Sequence, residues 1–103
     1  MTRLLVSSFG PFGAHAVNAS AAVARRLWEE GVEAADLVAV ELPVVRYQAV
    51  ERLVEAFARV RPDALVMLGI AEKRDKITPE RVAINLDDYR IPDNAGNQPH
   101  DEP

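Results

Sequence analysis

Two stretches of this chain carry residue types that could do chemistry. The first is Ser8-Phe9-Gly10-Pro11-Phe12-Gly13. Its two aromatic rings lie three residues apart in a loop whose course glycine and proline restrict, so they could sandwich a small flat ligand with little rotamer freedom to lose. The same rings could instead plug the loop into the core, which on pattern alone is the commoner use. A dinucleotide-binding loop fits less well, because Gly10 and Gly13 lack the first glycine of G-x-G-x-x-G and Phe12 stands where phosphate needs bare backbone. The second stretch runs from Ile77 to Asn85, where Glu80 stands at the mouth of the short apolar run Val82-Ala83-Ile84. A carboxylate bonded to an imidazole nitrogen sets the tautomer and stabilises the imidazolium, the third-member role in hydrolytic triads. Spacing alone favours the plainer alternative, a solvated acidic residue at a strand start.

Other candidates carry less. Asp87, Asp88 and Asp93 suggest a metal, but consecutive carboxylates on a strand point to opposite faces and no histidine adjoins them, so no metal is expected. Of the two histidines, His15 reads as an exposed loop residue and His100 has no partner that would make it a base. The absence of cysteine excludes disulfides, thiolate metal sites and a cysteine nucleophile within these 103 residues.

Short apolar runs and amphipathic segments must position those stretches. Leu4-Leu5-Val6 reads as a buried central strand that Gly10-Pro11 and Gly13 terminate. Asn18 supplies an N-cap for a helix over Ala19 to Glu30, with Ala19, Ala22, Val23 and Leu27 as its apolar recurrence and Gly31 as its stop. Ala35 to Leu42 predicts a second strand whose exit Pro43 fixes. Tyr47, Val50, Leu53, Val54, Phe57 and Val60 then recur at helical steps, with charged residues opposite, and Pro62 bars continuation. Ala64 to Leu68 predicts a third main strand, and Val82 to Ile84 a short further one. Pro92 to Asn97 is turn chemistry. The alternation predicts an α/β fold with a mostly parallel sheet and right-handed crossovers: a βαβαβ unit over 1–69, then a loop, short strand and extended tail over 70–103. Two helices would cover one face of such a sheet and leave the other exposed, whereas parallel sheets are normally covered on both. Either a partner chain supplies the second layer or these residues are the amino-terminal half of a single domain, and the second is the expectation.

Composition bounds the function class. Forty-nine per cent hydrophobic and 27% charged residues exclude a disordered chain, and twelve basic against sixteen acidic side chains, a formal charge of −4, argue against a phosphate-backbone binder. No apolar run reaches the roughly 20 residues of a membrane span, and the first apolar run is too short for a secretory signal. Neither nucleic acid nor membrane is expected as a partner, and the expected compartment is the cytoplasm.

The chain also carries the blocks Ser7 to Gly13 with Asn18, Leu42-Pro43-Val44-Val45, Pro79 to Asn85, Arg90 to Asn94, Gly96 to Pro99 and Asp101 to Pro103. Together they resemble the pyroglutamyl peptidase I, or pyrrolidone-carboxylate peptidase, family from end to end. The resemblance implies a cytoplasmic, cofactor-free cysteine peptidase that removes an amino-terminal pyroglutamyl residue from peptides, built as a three-layer α/β/α sandwich and commonly homotetrameric. It implies Glu80 as the acidic member of a Cys-His-Glu triad, Phe9 and Phe12 as walls for the lactam ring, Asn18 as a residue shaping that end of the pocket, and Arg90 as a neighbour of the oxyanion. The chain departs from the family pattern at Gly10, where the family carries Glu, and at Ile70-Ala71-Glu72-Lys73. The family's Cys and His lie outside these residues, so the chain by itself is expected to be inactive. Two other classes fit the bare pattern: a non-catalytic oligomerisation module, and a small-ligand or anion-binding module using Gly10 to Gly13 and the start of the Asn18 helix.

Overall fold

Leu5, Val6, Ser7 and Ser8 are consecutive and all buried. Successive strand side chains point to opposite faces, so a run of four buried residues requires cover on both sides. The computed structural model describes all residues from Met1 to Pro103 and shows where that cover comes from. Strand β1 (Thr2–Phe9) pairs in parallel with β2 (Ala35–Leu42) on one edge and β3 (Ala64–Met67) on the other, giving the order β2-β1-β3. Val6 lies opposite Ala39 and Val66 in this register. Helices α1 (Ala19–Glu30) and α2 (Gln48–Val60) each pack against β1 and β2 but not against each other. The chain passes from β1 out to β2 and then back across β1 to β3. With right-handed crossovers that reversal puts the two helices on opposite faces of the sheet.

The α/β architecture expected from the sequence therefore forms, and α1 and β2 have the expected bounds. Four expectations need correction. The bare part of the sheet is not one face but the β3 side, where neither helix packs and Ala64, Val66 and Met67 are exposed. The inward face of α1 is Ser20, Ala21 and Ala24, with Leu27 half-buried, while Ala22 and Val23 are exposed. Small side chains let this helix approach β1 closely enough for the Phe9 amide to donate to Ser20 Oγ at 3.0 Å. On α2 the sheet side is Ala49, Leu53, Ala56 and Val60, whereas Tyr47, Val50, Val54 and Phe57 stay exposed because no strand continues the sheet beneath them. Finally, Val82 to Ile84 forms no strand and is fully exposed, since no neighbouring backbone pairs with it. An isolated strand has nothing to close its hydrogen bonds.

Residues 87–102 fold back on themselves without becoming a sheet. Asp87 and Glu102 exchange backbone hydrogen bonds at 2.6 and 2.9 Å, and the Tyr89 amide donates to Pro99 at 2.9 Å. Gln98 Nε2 adds bonds to the carbonyls of Tyr89 and Arg90. Two side chains dock this tail onto the loop between β2 and α2. Arg46, only 12% exposed, donates to Asp87 at 2.8 Å and Glu102 at 3.2 Å. Asp93, also buried, accepts from the Arg46 amide at 2.6 Å, the Ala95 and Asn97 amides at 2.9 Å each, and Asn97 Nδ2 at 3.0 Å. Burial alone would push the Asp93 carboxyl up. The hydrogen bonds from Arg46, Asn97 and Ala95 outweigh it and hold the pKa at about 2, below the ordinary 3.8.

Because the folded-state value is depressed, the stabilisation from Asp93 is complete above about pH 4 and is lost as pH falls through the folded value near 2. The protection of the Ala95 and Asn97 amides, their exchange rate relative to an unstructured peptide at the same pH, is accordingly expected to hold down to about pH 4 and to fall between pH 4 and 2. In Asp93→Asn one of the two acceptor oxygens becomes a donor, so either the Ala95 and Asn97 amides, which share Oδ1, or the Arg46 amide, which meets Oδ2, should lose protection already at neutral pH.

Candidate functional site

Where a parallel α/β sheet reverses strand order, the connections leaving adjacent strands diverge and open a crevice at the carboxyl ends. Here that point lies beside β1, between the loop after Phe9 and the loop after Met67. The loop after Phe9 is held by both of its flanks. Gly10 donates its amide to the Leu42 carbonyl at 2.9 Å, extending the β1 pairing with β2 by one residue. Its own carbonyl accepts from Asn18 Nδ2 at 3.1 Å. Asn94 reaches in from the tail, donating Nδ2 to the Pro11 carbonyl at 2.8 Å and accepting the Gly13 amide on Oδ1 at 3.0 Å. The Asn94 amide is bonded to the Val44 carbonyl at 2.9 Å, so this bridge is fixed at its base. Phe9 and Phe12 are half-buried within this frame.

Asn18 does two things at once. It is the N-cap of α1 in extended backbone, its Oδ1 accepting from the Ser20 amide at 3.0 Å and from Ser20 Oγ at 2.7 Å, while its Nδ2 holds the loop. The Ala21 and Ala22 amides are taken by its carbonyl. The first turn of α1 thus spends these donors on Asn18, which weighs against an anion-binding role for that helix start. Gly10 is buried, and a Cβ there would meet Glu41 Oε2 at 3.3 Å. A larger acidic side chain at this position would have to displace Glu41 and would set a like charge beside it.

Glu80 and Arg90 lie apart from that frame, with no hydrogen bond or ion pair to it. Glu80 sits in an irregular segment, residues 70–86, that is exposed throughout, and its carboxylate is 73% exposed. Its one ionic partner is Arg74, whose Nη1 donates to Glu80 Oε1 at 3.0 Å and to Thr78 Oγ1 at 2.9 Å. The exposed Arg90 is held through its carbonyl, which accepts from Gln98, and its guanidinium pairs with no group of the chain. Sequence reasoning missed Arg46 and Arg74, weighed Asp93 only as a metal ligand and took Asn94 only as part of a resemblance block. Turn chemistry marks 92–97 as a turn, but nothing in the spacing says which distant backbone that turn docks against.

A profile of the pyroglutamyl peptidase family matches residues 2–103. The pyrrolidone-carboxylate peptidase of Vibrio vulnificus is 47% identical over all of the chain, which covers 49% of that relative. The one from Thermoanaerobacter is 44% identical over 101 residues, 98% of this chain and 49% of its own. Among solved structures, pyroglutamyl peptidase I of Bacillus amyloliquefaciens superposes with a TM-score of 0.94 at 42% identity, over 99% of this chain and 50% of that one. A mutant pyrrolidone carboxyl peptidase from Pyrococcus furiosus gives 0.91 at 37% identity, over 98% and 49%. The chain spans about half the length of the relatives it matches, and in sequence and fold alike it belongs to the pyroglutamyl peptidase family.

Proposed function

We propose that residues 1–103 supply the lactam-holding loop and the acidic triad member of a cysteine peptidase that removes an amino-terminal pyroglutamyl residue from peptides. The observation that carries this reading is the frame around Phe9 to Gly13: Asn18 and Asn94 clamp the loop's backbone at the strand-order reversal, with both rings at its surface. A five-membered lactam is small, flat and neutral. Aromatic walls with a few backbone groups suit it, while the charged amino terminus of an ordinary peptide would lose hydration without compensation.

In this reading the cysteine and the histidine base come from residues outside the 103 described. The thiolate adds to the pyroglutamyl carbonyl. The developing oxyanion lies near Arg90, whose free guanidinium suits that role. The histidine protonates the leaving amine as the C–N bond breaks, and water then hydrolyses the thioester. Glu80 orients the histidine. Its Oε2 is not taken by Arg74 and is free to accept an imidazole N–H. No cofactor enters any step. The same reading assigns the cytoplasm as compartment and a homo-oligomer, a tetramer as in the family, as assembly.

The test is steady-state kinetics on a pyroglutamyl substrate in the full-length enzyme that carries these residues. Phe12→Ala is expected to raise KM about 10- to 100-fold, the worth of burying one aromatic wall, with a smaller change in kcat. Glu80→Ala is expected to lower kcat about 10³- to 10⁴-fold with KM nearly unchanged. Normal turnover by Glu80→Ala would sink the assignment of the triad. Asn18→Ala should both lower stability by about 1 kcal/mol through the lost cap and raise KM, because the loop loses its bond at the Gly10 carbonyl.

A further inference from the structure

A carboxylate that orients an imidazole has to be held to within about half an ångström of its productive position. Within residues 1–103 neither burial nor secondary structure does this, since every residue from Ile70 to Leu86 is exposed and the segment contains neither helix nor strand. What holds it is a ring of contacts closed by Arg74. The Arg74 amide bonds back to the Ala71 carbonyl at 3.3 Å across a turn in which Lys73 adopts left-handed backbone, φ 69°. From that turn a single guanidinium nitrogen, Nη1, reaches forward to Thr78 Oγ1 and Glu80 Oε1 together. Pro79 stands between those two residues with its φ fixed by the ring, so one nitrogen pins both ends of a stiff link.

We infer that Arg74 is a positioning residue for Glu80, acting through the Nη1 contacts to Glu80 Oε1 and Thr78 Oγ1. The inference rests on the reading of Glu80 as the acidic triad member. The contact is one-sided in the way that role requires: Oε1 is occupied and Oε2 is left for the histidine. A bidentate arginine would use both oxygens and compete with the imidazole for the carboxylate. Within residues 1–103 the Arg74 and Glu80 side chains are 50% and 73% exposed, and ion pairs so exposed add little to stability. Removing Arg74 is expected to misplace Glu80 without unfolding these residues.

The test is a double-mutant cycle in the full-length enzyme, read by kcat, KM and thermal unfolding. Arg74→Ala is expected to lower kcat about 10- to 100-fold, the cost of a displacement near one ångström, with KM and the unfolding midpoint nearly unchanged. Arg74→Lys, whose ammonium can reach the same two oxygens, should recover most of the loss. In a Glu80→Ala background, Arg74→Ala should change kcat less than about twofold, because its only route to the chemistry is gone. An unchanged kcat in Arg74→Ala, with Glu80→Ala impaired, would overturn the inference and leave the triad reading standing. Equal losses from Arg74→Ala with and without Glu80 would overturn it too. Full activity in Glu80→Ala would remove the triad reading, and this inference with it. Should Arg74→Ala lower the unfolding midpoint, Thr78→Val decides: it severs one arm of the ring and should lower kcat several-fold, and an unaffected kcat there counts against the inference.

Discussion

A strand paired on both edges uses its amides and carbonyls in two ladders, and when it ends, the backbone that leaves it must find partners again within a few residues. That constraint acts at the carboxyl end of β1. There the Phe9 amide goes to Ser20 Oγ, the Gly10 amide to Leu42, the Gly10 carbonyl to Asn18, and the Pro11 carbonyl and Gly13 amide to Asn94. Pro11 brings no amide to satisfy, and Gly13 accepts left-handed backbone at φ 59°. Each partner comes from a different element: α1, β2 and the tail. The backbone around the two half-buried rings is held by polar contacts and does not depend on the rings alone for its anchoring.

The tail can supply Asn94 only because it is itself docked. Asp93 gathers four donors from the segments on either side of the loop, and Arg46 ties Asp87 and Glu102 to the same place. A chain of dependence follows. Asp93 shapes the turn, the turn sets Asn94, and Asn94 sets the Phe12 loop. All of it is polar and lies in a region with little apolar burial, so its order rests on hydrogen bonds to a charged carboxylate, which are stronger than neutral ones. Acid should loosen this corner before it reaches the sheet, whose core at Leu5 and Val6 carries no titratable group.

Legibility in the sequence follows the range of the interaction. The bounds of α1 and β2 are written locally, in the Asn18 cap, the Gly31 stop and the Pro43 exit, and they emerged where expected. The inward face of α1 was misread because apolar recurrence picked Val23, whereas a close approach to β1 admits small side chains and chose Ser20, Ala21 and Ala24. The apolar row of α2 was read correctly as a row, yet only Leu53 and Val60 of its six residues meet the sheet, since periodicity says that residues share a face and not that something covers it. Val82 to Ile84 looked like a strand by composition and lacked a partner. Asn18 was legible as a cap because cap chemistry is local. Asn94, Asp93 and Arg46 act over 41 to 83 residues of separation, which no spacing rule reaches.

The apolar surface left over follows from the same arrangement. Both helices sit over β1 and β2, so β3 is the thin side of the sheet: one edge unpaired, Val66 and Met67 exposed, and beside it the segment that carries Glu80 with no buried residue from Gly69 to Asp88. Within residues 1–103 a segment of that length held by one guanidinium has few cooperative contacts. The Phe9 to Gly13 loop, proposed to hold the lactam, is the opposite case, braced on three sides. The two halves of the proposed chemistry, substrate grip and acid placement, therefore differ in how they are held: the grip by the fold, and the acid by a single arginine six residues away.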